Sequence, residues 1–291
     1  MISIPVAVYD PLFEWQLDLF WHNHKRIYGV DARSRAHAII INRNHPNHTK
    51  DFGYGWKADI PYTLCDAYFE YLSKLYDVEW NYWHVPLNIQ AGLKQIIDRY
   101  HDDQVLELLD CDMFYLKPSP ALDVKHNHFY VETTYEAWHL KSMTENKIII
   151  DQLIGDNKIE YYNGGFVPII GTAKTFKEIL DTWIYFHFSI FKLLKTHDLR
   201  IWWAGMYSFQ AACEVHQVKM VENNLCYLPP ANFLESKHYI AHYAVDFKHV
   251  DKRRFPKLQP ELFPQNPFYR IFKKWFNNWS SVYDRTGING Y

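Results

Sequence analysis

Short apolar runs alternate with helical stretches along the first third of the chain, and this alternation restricts the fold more than any other feature of the sequence. Residues 4–9 read as a strand, 12–27 as a helix, 38–42 as a strand and 61–75 as a helix. A strand at 80–85, a helix over 88–100 capped by Asn88 and an apolar run at 105–109 follow. Strands separated by helices pair in parallel, because each return to the same end of a sheet needs a crossover, and the crossovers cover both faces. The expectation is an α/β fold built on a mostly parallel central sheet. The second half continues with a strand at 128–133, a turn at Asn163-Gly164-Gly165, a strand at 166–170, helices over 175–194 and 204–215, and a strand at 239–243. No repeat, low-complexity tract or Gly/Ser linker divides the 291 residues. One domain over 1–245 is expected, followed by an aromatic, basic extension over 246–291.

Charge narrows the partners. The chain has 31 basic and 33 acidic side chains and a net charge of −2, so its overall field favours neither nucleic acid nor an anionic membrane. Aromatic residues make up 18% of the chain, suited to stacking on sugar rings or bases as well as to filling a core. The four cysteines form no CxxC pair, which argues against a zinc ribbon and for reduced thiols in a cytosolic compartment. The N-terminus lacks the pattern of a signal peptide or anchor, and the apolar run 183–194 is interrupted by His187 and Lys192. No membrane-spanning segment and a cytoplasmic location are expected.

The most informative stretch is Val105 to Pro118, VLELLDCDMFYLKP. An apolar strand runs into Asp110-Cys111-Asp112, and residues two apart on an extended chain project to the same side. Two carboxylates then converge at the carboxyl end of a strand, where open α/β sheets place their ligands. Hard oxygen ligands of this kind suit Mg²⁺ or Mn²⁺, which in turn neutralises a diphosphate. The plainer alternative is a turn with two solvated aspartates.

This segment resembles the DxD signature of glycosyltransferases with the GT-A fold. Further stretches are similar to the hydroxyproline O-arabinosyltransferases and peptidyl-serine galactosyltransferases. They are Phe13-Glu14-Trp15-Gln16 after the first strand, WWAGMYSFQAA from Trp202 to Ala212, and YIAHY from Tyr239 to Tyr243. The four segments fall in the family's order. One position departs: the family's acidic residue before Met-Tyr falls on Gly205, and Glu214 lies about two turns too far along the same helix to replace it.

The resemblance implies a GT-A, Rossmann-like domain that moves a sugar, arabinose or galactose, from a UDP-sugar to a hydroxyl with retention of configuration. Asp110 and Asp112 are the expected catalytic and metal-binding pair, with His242 as third ligand to Mn²⁺ or Mg²⁺. Other histidine pairs, His22/His24, His45/His48 and His126/His128, are spaced like ligands but read as solvated or capping residues. Trp15, Gln16, Asn163, Gly164, Gly165 and Lys94 are the candidate donor and sugar contacts. For the glycine pair a plain turn, and for Lys94 a solvated helical lysine, are the alternatives. Trp202, Trp203, Met206 and Tyr207 fall on the acceptor side.

Between Asp246 and Trp279, eight basic residues face three acidic ones, and Phe268, Ile271, Phe272, Trp275, Phe276 and Trp279 recur at helical spacing. This amphipathic helix either docks on the core or, with Lys252, Arg253 and Arg254, forms an acceptor surface for an anionic partner. Two other functions stay open from the sequence: the same chemistry on hydroxymethylated bases of DNA, and a carbohydrate-binding protein without turnover.

Overall fold

The structure, a computed structural model, describes residues 1–8, 11–42, 59–66, 88–132, 143–155, 166–194, 204–227 and 235–242. In chain order these residues form β1 (Ile2–Val8), α1 (Pro11–Tyr28), β2 (Ala38–Asn42), β3 (Tyr62–Asp66), α2 (Asn88–Ile96), β4 (Val105–Asp110), β5 (Met113–Tyr115) and β6 (His128–Glu132). Then come α3 (Met143–Ile154), β7 (Phe166–Thr172), α4 (Ala173–Leu193), α5 (Ala204–Val215), β8 (Lys219–Glu222), β9 (Cys226–Tyr227) and β10 (Ile240–His242).

The expected α/β architecture forms. Seven strands make one sheet in the order β3-β2-β1-β4-β7-β6-β8. β1, β2, β3 and β4 are parallel, β7 alone runs against its neighbours, and β8 is parallel to β6. A strand covered on both faces is mostly apolar on both, and Ala38–Ile41 of β2 and Leu106–Leu109 of β4 are buried without a break, Glu107 being their one polar side chain. Helix α4 starts where it does because Thr172 caps it, its hydroxyl accepting from the Thr175 amide at 3.2 Å.

Helix α2 packs on β2 through a glycine. A Cβ at Gly92 would fall 2.3 Å from Ile39 Cγ2 and 2.7 Å from Ile41 Cδ1. Gly92→Ala gains about 1 kcal/mol of helix propensity, but overpacking costs about 1–3 kcal/mol. The expected outcome is a net loss near 1 kcal/mol, read as a lower urea midpoint; a raised midpoint would show that the strand side chains yield freely.

A second, three-stranded sheet has the order β5-β10-β9, with β10 antiparallel to β5 and parallel to β9. Helix α1 holds its outer edge. The Asn23 carboxamide donates to the Tyr115 carbonyl at 2.9 Å and accepts from the Tyr115 amide at 2.6 Å, taking both backbone polar groups of that residue.

Two expectations are corrected. The helix expected from residue 61 is a strand at its start, because Tyr62 and Leu64 are exposed while Thr63 and Cys65 between and after them are half-buried and buried, and the run pairs with β2, Ala38 opposite Tyr62. Residues 67–75 and the strand expected at 80–85 lie outside the described residues. His24 is not solvated: it is buried in α1 among Phe20, Trp21, Tyr28 and Tyr115, with ring centroids 4.5–5.8 Å apart across the nest.

Burial, helped by the nearby Arg35 guanidinium, lowers the His24 pKa to about 4. The unfolded chain therefore takes up a proton near pH 6.5 that the folded chain refuses until about pH 4, and stability falls as pH drops through that window. The shift corresponds to about 3 kcal/mol. His24→Phe should flatten the fall in melting temperature between those two pH values; equal slopes in variant and wild type would contradict the assignment.

Candidate metal centre

β1 lies at the point where the sheet's order reverses. From it the chain steps outward to β2 and β3 on one side, and β4 fills the other, so loops leaving the carboxyl ends of β1 and β4 diverge and open a crevice. Asp110 is the last residue of β4 and lies opposite Val6 near the carboxyl end of β1. Cys111 and Asp112 form a tight turn, and Met113 begins β5. The sequence expectation that both carboxylates project from one extended strand is thus corrected: β4 stops at Asp110 because the chain must turn to pair β5 with β10. The carboxylates still converge, now across a turn.

β10 completes the group. Its antiparallel register with β5 sets His242 opposite Met113, next to Asp112. His242 Nε2 is 3.1 Å from Asp112 Oδ1 and 3.5 Å from Asp110 Oδ2. One ligand atom from each of the three residues lies within 4.8 Å of the others, and among the described residues no second such group of three occurs. The side chains are 1% exposed for His242, 9% for Asp112 and 32% for Asp110. The imidazole is therefore the floor of the site and Asp110 its open side. Neighbouring ligands of one octahedral ion with bonds of about 2.1 Å stand about 3 Å apart, close to the 3.1 and 3.5 Å that separate His242 Nε2 from the two carboxylates. Two carboxylate oxygens and an imidazole nitrogen fit Mn²⁺ or Mg²⁺ better than a soft metal that prefers thiolates.

Neighbouring groups make the wall. The Cys111 thiol donates to Gln16 Oε1 at 3.4 Å, tying the turn to the first turns of α1. Cys226 of β9 lies beside β10; burial first, and then the carboxylates of Glu132, Asp112 and Asp110, push its thiol well above the ordinary value. None of the four cysteines is in a disulfide.

The remaining candidates are spread more widely. Gln16 is buried at the turn. Trp15 belongs to the same helix turn. Lys94 stands on the surface of α2 in an ion pair with Asp181 of α4, Nζ to Oδ1 2.7 Å. Met206 and Tyr207 are buried in α5. At Gly205, the position of the family's acidic residue, the carbonyl accepts from the Trp183 indole at 2.9 Å, and Glu214 is exposed at the far end of the helix. His126 is exposed against Glu178 at 3.1 Å. Asn163, Gly164, Gly165, Trp202, Trp203, His45, His48, Lys252, Arg253, Arg254 and the whole extension 246–291 lie outside the described residues.

A second buried cluster sits behind the centre, and it is built on Glu107. Its carboxylate is fully buried, which raises its pKa. Oε1 accepts from the Tyr239 hydroxyl at 2.7 Å, and Oε2 accepts from Ser3 Oγ at 3.1 Å and from the Tyr115 hydroxyl. Ser119 Oγ donates at 3.5 Å to both oxygens. Sequence reasoning passes over this residue. The available signal is a lone carboxylate in the apolar strand VLELLD, since a buried charge must be heavily hydrogen-bonded.

No family model and no curated protein sequence matches the chain. No described helix is long and apolar enough to cross a membrane. Among solved structures the chain is similar to the galactosyltransferase LgtC in complex with donor and acceptor sugar analogs, with 14% identity over 92% of this chain and 99% of that chain, at a TM-score of 0.48.

Proposed function

We propose that this chain is a metal-dependent glycosyltransferase of the GT-A kind, transferring a sugar from a UDP-sugar to a hydroxyl acceptor. The observation that carries the reading is the convergence of Asp110, Asp112 and His242 beside the reversal point of the sheet. A nucleoside diphosphate seated there would meet the open side of the site, where Asp110 is part-exposed, and the enclosed His242 and Asp112 would hold the ion with it. When bound, the divalent ion offsets negative charge that builds on the departing diphosphate. His242 would hold such an ion through the lone pair of Nε2, which requires the neutral imidazole with its proton on Nδ1.

The family resemblance supports arabinose or galactose as the sugar. It also supports retention, with the acceptor attacking from the leaving-group face and no separate base carboxylate. Gln16, Trp15, Lys94 and the turn 163–165 are the proposed donor contacts; Trp202, Trp203, Met206, Tyr207 and the basic residues 252–254 are the proposed acceptor side. The catalytic unit is taken as 1–245 with 246–291 as an extension of it, working in the cytoplasm.

The test is release of UDP from UDP-galactose and UDP-arabinose with Mn²⁺, with Mg²⁺ and with EDTA, followed by offering protein, glycan and hydroxymethylated DNA acceptors. Metal-dependent release supports the enzyme. Sugar binding without any UDP release would make it a carbohydrate-binding protein instead.

A further inference from the structure

We infer that Glu107 is a positioning residue for the metal centre: one buried carboxylate grips two tyrosines and thereby holds the three ligand-bearing segments in register. This inference rests on the metal-dependent reading above. Each ligand lies three residues from a member of the grip. Asp110 follows Glu107 by three on β4, Asp112 precedes Tyr115 by three, and His242 follows Tyr239 by three. No two of these segments are neighbours in the large sheet. β4 belongs to it, whereas β5 and β10 belong to the small one. The small sheet fixes β5 against β10, with Tyr115 opposite Ile240 and His242 opposite Met113. It does not by itself fix that pair against β4. The turn at Cys111–Asp112 ties β4 to β5 covalently, and the Cys226 amide, donating to Glu132 Oε2 at 2.9 Å, ties β9 to β6; neither of these joins β10 to β4.

Glu107 supplies the missing connection. Oε1 takes the Tyr239 hydroxyl at 2.7 Å and Oε2 takes the Tyr115 hydroxyl, so the two oxygens of one β4 side chain reach β5 and the residue that leads into β10. Ser3, opposite Glu107 in the β1–β4 register, donates to Oε2 at 3.1 Å and lies 2.6 Å from the Tyr115 hydroxyl. The carboxylate is thereby anchored to the next strand as well. Hydrogen bonds to a buried carboxyl group are costly to lose, because deleting one partner leaves the other enclosed away from water. An ion held by ligands from two sheets is sensitive to displacements of a few tenths of an ångström, and groups that orient ligands from behind commonly change metal affinity by about 10–100-fold when removed.

The experiment measures Mn²⁺ affinity of the purified full chain, with and without UDP, by electron paramagnetic resonance titration. Tyr239→Phe and Glu107→Gln are compared with wild type and with Thr175→Val, which removes a buried hydroxyl at the start of α4, remote from the centre in the fold. Both cluster variants should weaken Mn²⁺ binding about tenfold or more. Tyr239→Phe should also diminish the imidazole nitrogen modulation in the echo spectrum, and Thr175→Val should do neither. In a His242→Ala background the effect of Tyr239→Phe should largely vanish, because the ligand it positions is gone. Should Glu107→Gln fail to fold, Tyr239→Phe decides alone. Wild-type affinity and modulation in Tyr239→Phe, or an equal loss in Thr175→Val, overturns the positioning role. Failure of wild type itself to bind Mn²⁺ removes the metal centre, and this inference with it.

Discussion

Asp112→Asn is expected to lower UDP-sugar turnover by about a thousandfold, a loss of about 4 kcal/mol of transition-state stabilisation. The side chain keeps its shape, so the turn at Cys111–Asp112 and the contact with His242 Nε2, 3.1 Å away in the wild type, have no steric reason to change. What changes is charge and donor character: the amide offers a neutral oxygen where a buried carboxylate stood. Asp112 is the more enclosed of the two acids, and the weaker electrostatics cannot be made good by water as they could at Asp110. Chelation with EDTA should reproduce the loss in wild type, and Mn²⁺ should reverse it there but not in the variant. Full turnover in chelator would end the metal reading.

His242→Ala should weaken Mn²⁺ binding by more than about a hundredfold, because a ligand that touches the ion acts on affinity more directly than the supporting groups whose removal commonly costs about 10–100-fold. Its burial sharpens the expectation. The alanine leaves an enclosed space on the floor of the site, and the two carboxylates lose a basic group that lies within 3.5 Å of both. The control is His126→Ala, which removes an exposed histidine paired with Glu178 at 3.1 Å. Equal dissociation constants in the two variants, by calorimetry or paramagnetic titration, would refute the coordination.

How much of this was legible depends on the range of the interaction concerned. β4 and the acidic pair were readable because a run of apolar residues ending in Asp110-Cys111-Asp112 is a local pattern, and α4 was readable because its apolar periodicity runs over 21 residues. β3 was misread because Tyr62–Asp66 is only five residues long, too short to separate a strand from the first turns of a helix until β2 is seen beside it. His24 was misread because a polar residue's burial depends on Tyr115, remote in sequence, arriving against α1. The Glu107 cluster joins residues 3, 107, 115, 119 and 239, and no window of sequence contains them together. The pairing of Asp112 with His242 crosses 130 residues, and it was reached through the family resemblance, not through spacing.

The Asn23 carboxamide has a consequence for how this chain keeps to itself. An edge strand offers a row of open amides and carbonyls, a template on which another molecule's strand can extend the ladder into an aggregate. β5 is such an edge, and it lies one turn from the acidic pair. By taking both the amide and the carbonyl of Tyr115, α1 ends the ladder with a side chain where a foreign strand could otherwise begin. The protection comes from a helix that also contacts the Cys111 turn through Gln16, so the segment that guards this edge is the one that borders the metal site.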